Sequence, residues 1–165
     1  SGPAALFRVE GLAHDVVEPG AFTASLAARG APGVQMLWHH DPAEPIGRWL
    51  EIREDARGLY VRGRLVAGVA RAREAATLMK AGVLDGLSIG FRTVSGRRDP
   101  RSGIRRLKAI DLWEISIVTF PMQPDARVAR IETAALRPPA SPIPPSEADL
   151  VATIRRATRP FEPTR

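Results

Sequence analysis

Residues 82–94 read GVLDGLSIGFRTV, and inside them Gly86, Leu87, Ser88, Ile89 and Gly90 spell G-x-S-x-G. In α/β-hydrolases that string marks a sharp strand-to-helix turn exposing a nucleophilic serine. Such a turn needs a helix after the serine and a histidine later in the chain. Neither condition is met. FRTVSGRR, residues 91–98, reads as strand, and the three histidines, His14, His39 and His40, all precede Ser88. The α/β-hydrolase reading fails, and Ser88 has to be placed on a strand of some other architecture.

The flanking sequence says which. Upstream, residues 69–81 (VARAREAATLMKA) place Val69, Ala72, Ala76, Met79 and Val83 at helical spacing, with Gly82 as the stop. Residues 19–30 (PGAFTASLAARG) predict a shorter helix, with Phe22 and Leu26 on one face and Gly30 ending it. Residues 46–54 and 58–66 alternate and form a hairpin around a DARG turn, VQMLW at 34–38 is a short buried strand, and residues 6–11 alternate weakly. Downstream come two β segments, 87–95 and 104–119, joined by GRRDPRSG. Many strands with two helices make an α+β domain built around an antiparallel sheet or barrel.

Bulk composition sets outer bounds. The chain of 165 residues carries 24 Lys and Arg against 18 Asp and Glu, a net charge of +6, and has no cysteine. Disulfides, thiolate metal sites and cysteine nucleophiles are excluded. No apolar run approaches the ~18–20 residues of a membrane span, and no charged-then-apolar leader is visible. The positive charge permits a polyanionic partner, but no zinc-finger, ribonucleoprotein or helix-turn-helix signature accompanies it. After residue 131, LRPPASPIPPSEADL (136–150) reads as a linker, and residues 146–159 either form a short helix capped by Ser146 or stay disordered.

A serine hydrolase needs a base within reach of the hydroxyl and a third group that orients the base; chain order is free. The base candidates sit in MLWHHDPAEPIGRW, residues 36–49. In an extended chain His39 and His40 point to opposite faces, so one of them joins a given site. By itself HHDP also reads as a surface turn at a strand end. Metal-ligand spacing is lacking, and neither metal nor cofactor is expected. The acid candidates, Asp111 and Glu114, interrupt IDLWEISIVTFP, residues 110–121. Strict alternation puts Glu114 with Leu112, Ser116 and Val118, and Asp111 with Trp113 and Ile115. A carboxylate in mid-strand has a partner or faces solvent.

Taken in order, DVVEPGAF (15–22), LWHHDPAEPIGRW (37–49), RGLYVRGRL (57–65), TLMKAGVLDGLSIGF (77–91) and DLWEISIVTFPMQPDARV (111–128) resemble the prohead proteases of tailed bacteriophages and gene transfer agents. PMQPDA departs from the PANP-like residues usual there, but removes no candidate group. The resemblance implies a fold similar to herpesvirus assemblin, an antiparallel β-barrel flanked by helices, with histidine before serine. It implies Ser88 as nucleophile, His40 as base and Glu114 as orienting acid, with Asp111 the alternative and Ser116 the other serine of interest. Arg127 enters by position only, as an oxyanion donor. A protease domain at 1–131 and a basic tail at 132–165 are expected. The implied enzyme is a serine endopeptidase working inside the assembling prohead in the host cytoplasm. It would cut the major capsid protein precursor and itself, with self-association open and no membrane partner. A non-catalytic assembly module of the same fold, and a basic nucleic-acid-binding protein of the capsid interior, are the alternatives.

Overall fold

The longest sheet contact runs between β6 (Gly86–Arg98) and β7 (Arg105–Val118), an antiparallel hairpin beginning at the G-x-S-x-G stretch. The structure, a computed structural model, describes residues 1–132; the expected linker and tail helix lie outside the described residues. Along the sheet the order is β1 (Gly2–Leu6), β5 (Gly58–Leu65), β4 (Asp41–Glu54), β3 (Gln35–Trp38), β7 and β2 (Asp15–Val17), with β6 on the other edge of β7. Two pairings, β3 with β7 and β2 with β7, are parallel, so the sheet is mixed rather than purely antiparallel. The weakly alternating stretch at 6–11 is not a strand: β1 ends at Leu6, and the short β2 follows later. In β4 the strand begins at Asp41, five residues before the hydrophobic alternation starts.

The sheet curls into a half-barrel, and an irregular segment bridges its two edges. Leu87 N–H donates to Ala126 O (2.8 Å) and Val128 N–H to Asp85 O (2.7 Å), tying the segment to β6. On the β1 side the Gln123 amide accepts from Leu6 N–H (2.6 Å) and donates to Leu6 O (3.1 Å) and Val9 O (3.0 Å). These bonds satisfy backbone groups that a sheet edge would otherwise leave open.

Two helices cover the sheet. α1 (Thr23–Arg29) ends at Gly30, whose φ of 62° needs a residue without a β-carbon. α2 (Ala70–Lys80) buries Ala72 and Ala75, and Gly82 at φ 70° stops it; Val83, expected on its buried face, lies past the stop and is exposed. Phe22, Ile46, Leu59, Leu107, Ile110, Leu112 and Ile115 form the centre of the core.

β7 changes face part-way along. Gly90 pairs with Glu114, and the next residue of β6, Phe91, pairs with Leu112, so Trp113 is an extra residue: a β-bulge. Alternation places Ile110 and Leu112 in the core before the bulge, and Ile115 and Ile117 in the core after it. Glu114 and Ser116 therefore face away from the core, opposite to Leu112. The strict alternation expected from the sequence breaks here. The Leu112 N–H finds the Ser25 hydroxyl (2.9 Å) at this point, a buried contact from α1 that accompanies the bulge.

Candidate active site

β6 and β7 place four groups on one face. Ser88 pairs directly with Ser116, and Gly90 with Glu114. Directly paired residues of an antiparallel ladder hold their β-carbons about 4.5–5.5 Å apart. To the other edge of β7 the parallel strand β3 delivers Trp38 beside Ile117, and the chain turns there through His39 and His40. The turn is the two-residue connection between β3 and β4, closing on the pair Trp38 and Asp41. Both histidines have positive φ, 50° and 64°, as a type I′ hairpin requires. Neither is extended, so the opposite-faces expectation does not describe them. Asparagine and glycine are the usual occupants; an ordinary L residue held there costs about 1–2 kcal/mol.

Hydrogen bonds from β7 hold this turn. His39 N–H donates to Ile117 O (3.1 Å), and His40 N–H donates to the Ser116 hydroxyl (3.0 Å). The Ser116 hydroxyl donates to Glu114 Oε2 (2.6 Å), and Glu114 Oε1 lies 2.6 Å from His40 Nδ1. The circuit closes on itself: His40 amide, Ser116 hydroxyl, Glu114 carboxylate, His40 ring. An ionised carboxylate only accepts, so Nδ1 carries the proton and Nε2 keeps a free lone pair. The Glu114 side chain is 12% exposed and that of His40 42%.

The two imidazoles are driven apart electrostatically. The hydrogen bond to Glu114 raises the pKa of His40 above its ordinary value, against the opposing effect of partial burial. That of His39 is lowered, first by desolvation and then by the charges of His40 and Arg71. His39 packs edge-on against Trp38, ring centres 4.5 Å apart, and the Arg71 guanidinium lies over the Trp38 ring, 5.5 Å from its centre.

Ser88 is 3% exposed, and its hydroxyl has no hydrogen-bond partner among the described residues. No hydrogen bond joins it to His40. Buried hydroxyls nearly always find a partner, so an orphaned one calls for an explanation. Catalytic hydrogen bonds are often long or open before substrate arrives.

The remaining candidates lie elsewhere. Asp111 accepts from Arg29 (2.8 Å) and from the Trp113 indole N–H (2.8 Å), and these two donors hold its carboxyl below the ordinary range. His14 is exposed and bonded to Glu10 (2.7 Å). Arg127 stands near Gly86 through a backbone bridge, with its guanidinium committed to Pro124 O (2.7 Å) and to Asp85. The sequence names Ser116 as a rival nucleophile and places it on the face of Glu114 by alternation; its bond to the turn has no signal in the sequence. An apolar cavity of about 100 Å³ opens beside β6, lined by Leu87, Ser88, Ile89, Phe91, Leu107 and Met122 among others.

Comparison with known proteins adds an independent line. A family profile described as caudovirus prohead serine protease matches residues 5–137. The chain is 34% identical over 134 residues to the prohead protease of Enterobacteria phage HK97, covering 80% of this chain and 59% of that protein. It is 31% identical over 91 residues to the prohead protease of Escherichia phage T5, covering 55% of this chain and 42% of the other. A third match, 30% identical over 126 residues, is to the capsid polyprotein of Pseudomonas phage PAJU2, of which it covers 18%. The chain thus spans about three fifths of the length of the HK97 relative.

Proposed function

The chain belongs to the caudovirus prohead serine protease family, and on that premise we propose that it is a serine endopeptidase of capsid maturation, with Ser88 as nucleophile, His40 as general base and Glu114 as orienting acid. The observation that carries the assignment is the His40–Glu114 contact of 2.6 Å on the face that also bears the unpartnered Ser88 hydroxyl. The mechanism follows from the chemistry of these groups. With Nδ1 protonated and held by Glu114, Nε2 accepts the Ser88 proton as Oγ attacks a peptide carbonyl. The imidazolium so formed is stabilised by the carboxylate. His40 then returns the proton to the leaving amine, and water, deprotonated by the same nitrogen, releases the acyl group. The oxyanion calls for backbone N–H groups or an arginine; Arg127, engaged by Asp85 and Pro124, is the weaker candidate.

The substrate on this reading is the major capsid protein precursor, cut inside the assembling prohead in the bacterial cytoplasm. The names of the relatives support it: two are prohead proteases and one is a capsid polyprotein. No helix of the described residues is long and apolar enough to cross a membrane. The kinship to assemblin rests on the histidine-before-serine order and the curled sheet, and a gene transfer agent source on the sequence resemblance alone. The protease domain of this proposal ends near residue 131, and the tail beyond it is a site of self-cleavage.

The test is to co-express the chain with the capsid protein encoded beside it and map new N-termini by mass spectrometry. Wild type should shorten the capsid precursor; Ser88→Ala, His40→Ala and Glu114→Gln should lose that cleavage to decreasing degrees. Assembly without cleavage by wild type would favour a non-catalytic module.

A further inference from the structure

Two serines face each other across the β6–β7 ladder, and their surroundings differ in kind. Ser88 has an unpartnered hydroxyl, whereas Ser116 is fully buried and uses its hydroxyl twice, accepting from His40 N–H and donating to Glu114 Oε2. We infer that Ser116 is a positioning residue of the reaction, one hydroxyl that fixes both the carboxylate and the turn on which the base is mounted. This rests on the assignment of Ser88, His40 and Glu114 made above.

A carboxylate with one oxygen on an imidazole can still swing about its side-chain torsions; a donor on the second oxygen fixes its plane. Glu114 is buried enough that water is a poor substitute for that donor. The turn has the converse weakness. Its two histidines hold left-handed conformations and are exposed. The Ser116 oxygen receives the His40 amide, so orientation of the ring at Nδ1 and orientation of the backbone carrying it come from neighbouring atoms of one strand. Finally, the Ser116 O–H is already bonded to Glu114, so it is not free for a base at His40 Nε2 to remove. The His40 ring is bonded to Glu114 from β7 and lies near His39 in the turn, while Arg71 from α2 acts on His39. Neither His39 nor Arg71 is bonded to Glu114, so neither replaces the Ser116 donor.

The experiment is labelling by a fluorophosphonate as a function of pH, with the labelled residue mapped by mass spectrometry. It compares wild type, Ser116→Ala, Ser116→Thr, Ser116→Cys and a core control, Val61→Ala. Loss of a hydrogen bond to a charged group predicts that Ser116→Ala labels Ser88 about 10- to 100-fold more slowly. Its acid limb should move to lower pH, because a loosened Glu114 no longer raises His40. Ser116→Thr, which keeps the hydroxyl, should recover most of the rate, and the weaker donor in Ser116→Cys should fall between. Val61→Ala should lose thermal stability while keeping the wild-type pH profile. The positioning role is overturned if Ser116→Ala labels within about threefold of wild type with an unmoved acid limb, or if Val61→Ala reproduces its profile. Should Ser116→Ala not fold, equal rates for the Thr and Cys variants overturn it. Label found on Ser116 in wild type would instead overturn the Ser88 assignment itself.

Discussion

Glu114 lies across Gly90. A β-carbon built on Gly90 would come within 2.7 Å of the carboxylate carbon and 2.9 Å of Cγ, closer than such atoms approach in real structures. The second glycine of G-x-S-x-G therefore makes room for the acid that orients His40. Gly86 answers a different neighbour, the backbone at Val118 and the ring of Pro121, where a β-carbon would stand 2.9 Å from Cδ. The string matches the hydrolase elbow in letters and differs from it in cause.

Gly90→Ala should thus act as an active-site substitution. The methyl displaces Glu114 from His40, and turnover falls about 100-fold or more, while overpacking costs about 1–3 kcal/mol of stability. Precursor cleavage and thermal unfolding measured side by side check this. Wild-type turnover would mean that the carboxylate can move aside without consequence.

Ser88→Ala should abolish cleavage and leave the fold as stable or more stable. A buried hydroxyl without a partner costs about 1–3 kcal/mol, and alanine removes that cost while keeping the β-carbon. Denaturant unfolding of the variant against wild type gives the sign. A loss of more than about 1 kcal/mol would show that the hydroxyl makes a structural bond.

His40 makes stability depend on pH in a definite direction. Its folded pKa is raised above the ordinary 6.5, so its protonated form is the one favoured by folding. Its contribution is fully present below pH 6.5 and is lost as pH rises through the folded value. His40→Asn, which tolerates the left-handed turn, should lack this component. With the ring 42% exposed, screening limits the effect to under about 1 kcal/mol. A difference between the two proteins that grows with rising pH would contradict the Glu114 contact. Activity runs the other way: neutral His40 is the base, so turnover should rise with pH to a plateau reached above the usual histidine range.

His39→Gly should stabilise the fold and spare the chemistry. Glycine removes the left-handed penalty of about 1–2 kcal/mol, part of which is offset by losing the edge-on contact with Trp38. A net gain of about 0.5–1 kcal/mol, with turnover within about threefold, is the expected result. A large loss of turnover would place His39 in the reaction.

Much of the fold could be read from residues because local rules governed it. Gly30 and Gly82 stop helices through their positive φ, and the β4–β5 and β6–β7 hairpins follow alternation and turn chemistry. What escaped reading is non-local. The bulge at Trp113 accompanies a hydroxyl on α1, Ser25, and it reverses the side on which Glu114 stands. The left-handed histidines are held by bonds to β7, against the preference of the residues themselves. The parallel pairing of β3 with β7, which brings His40 to Glu114, joins segments nearly eighty positions apart. Residue types could name the candidates; only long-range pairing decides how they meet.

The segment that bridges the sheet edges also finishes where the chain starts. Ala129 N–H and Arg130 N–H both donate to Ser1 O, at 2.9 and 3.0 Å, and the Ser1 amine donates back to Arg130 O at 2.6 Å. Entry and exit of the unit share one spot, as in domains that tolerate being spliced into a host sequence. Polypeptide fused ahead of Ser1 and polypeptide continuing past Arg130 would leave side by side.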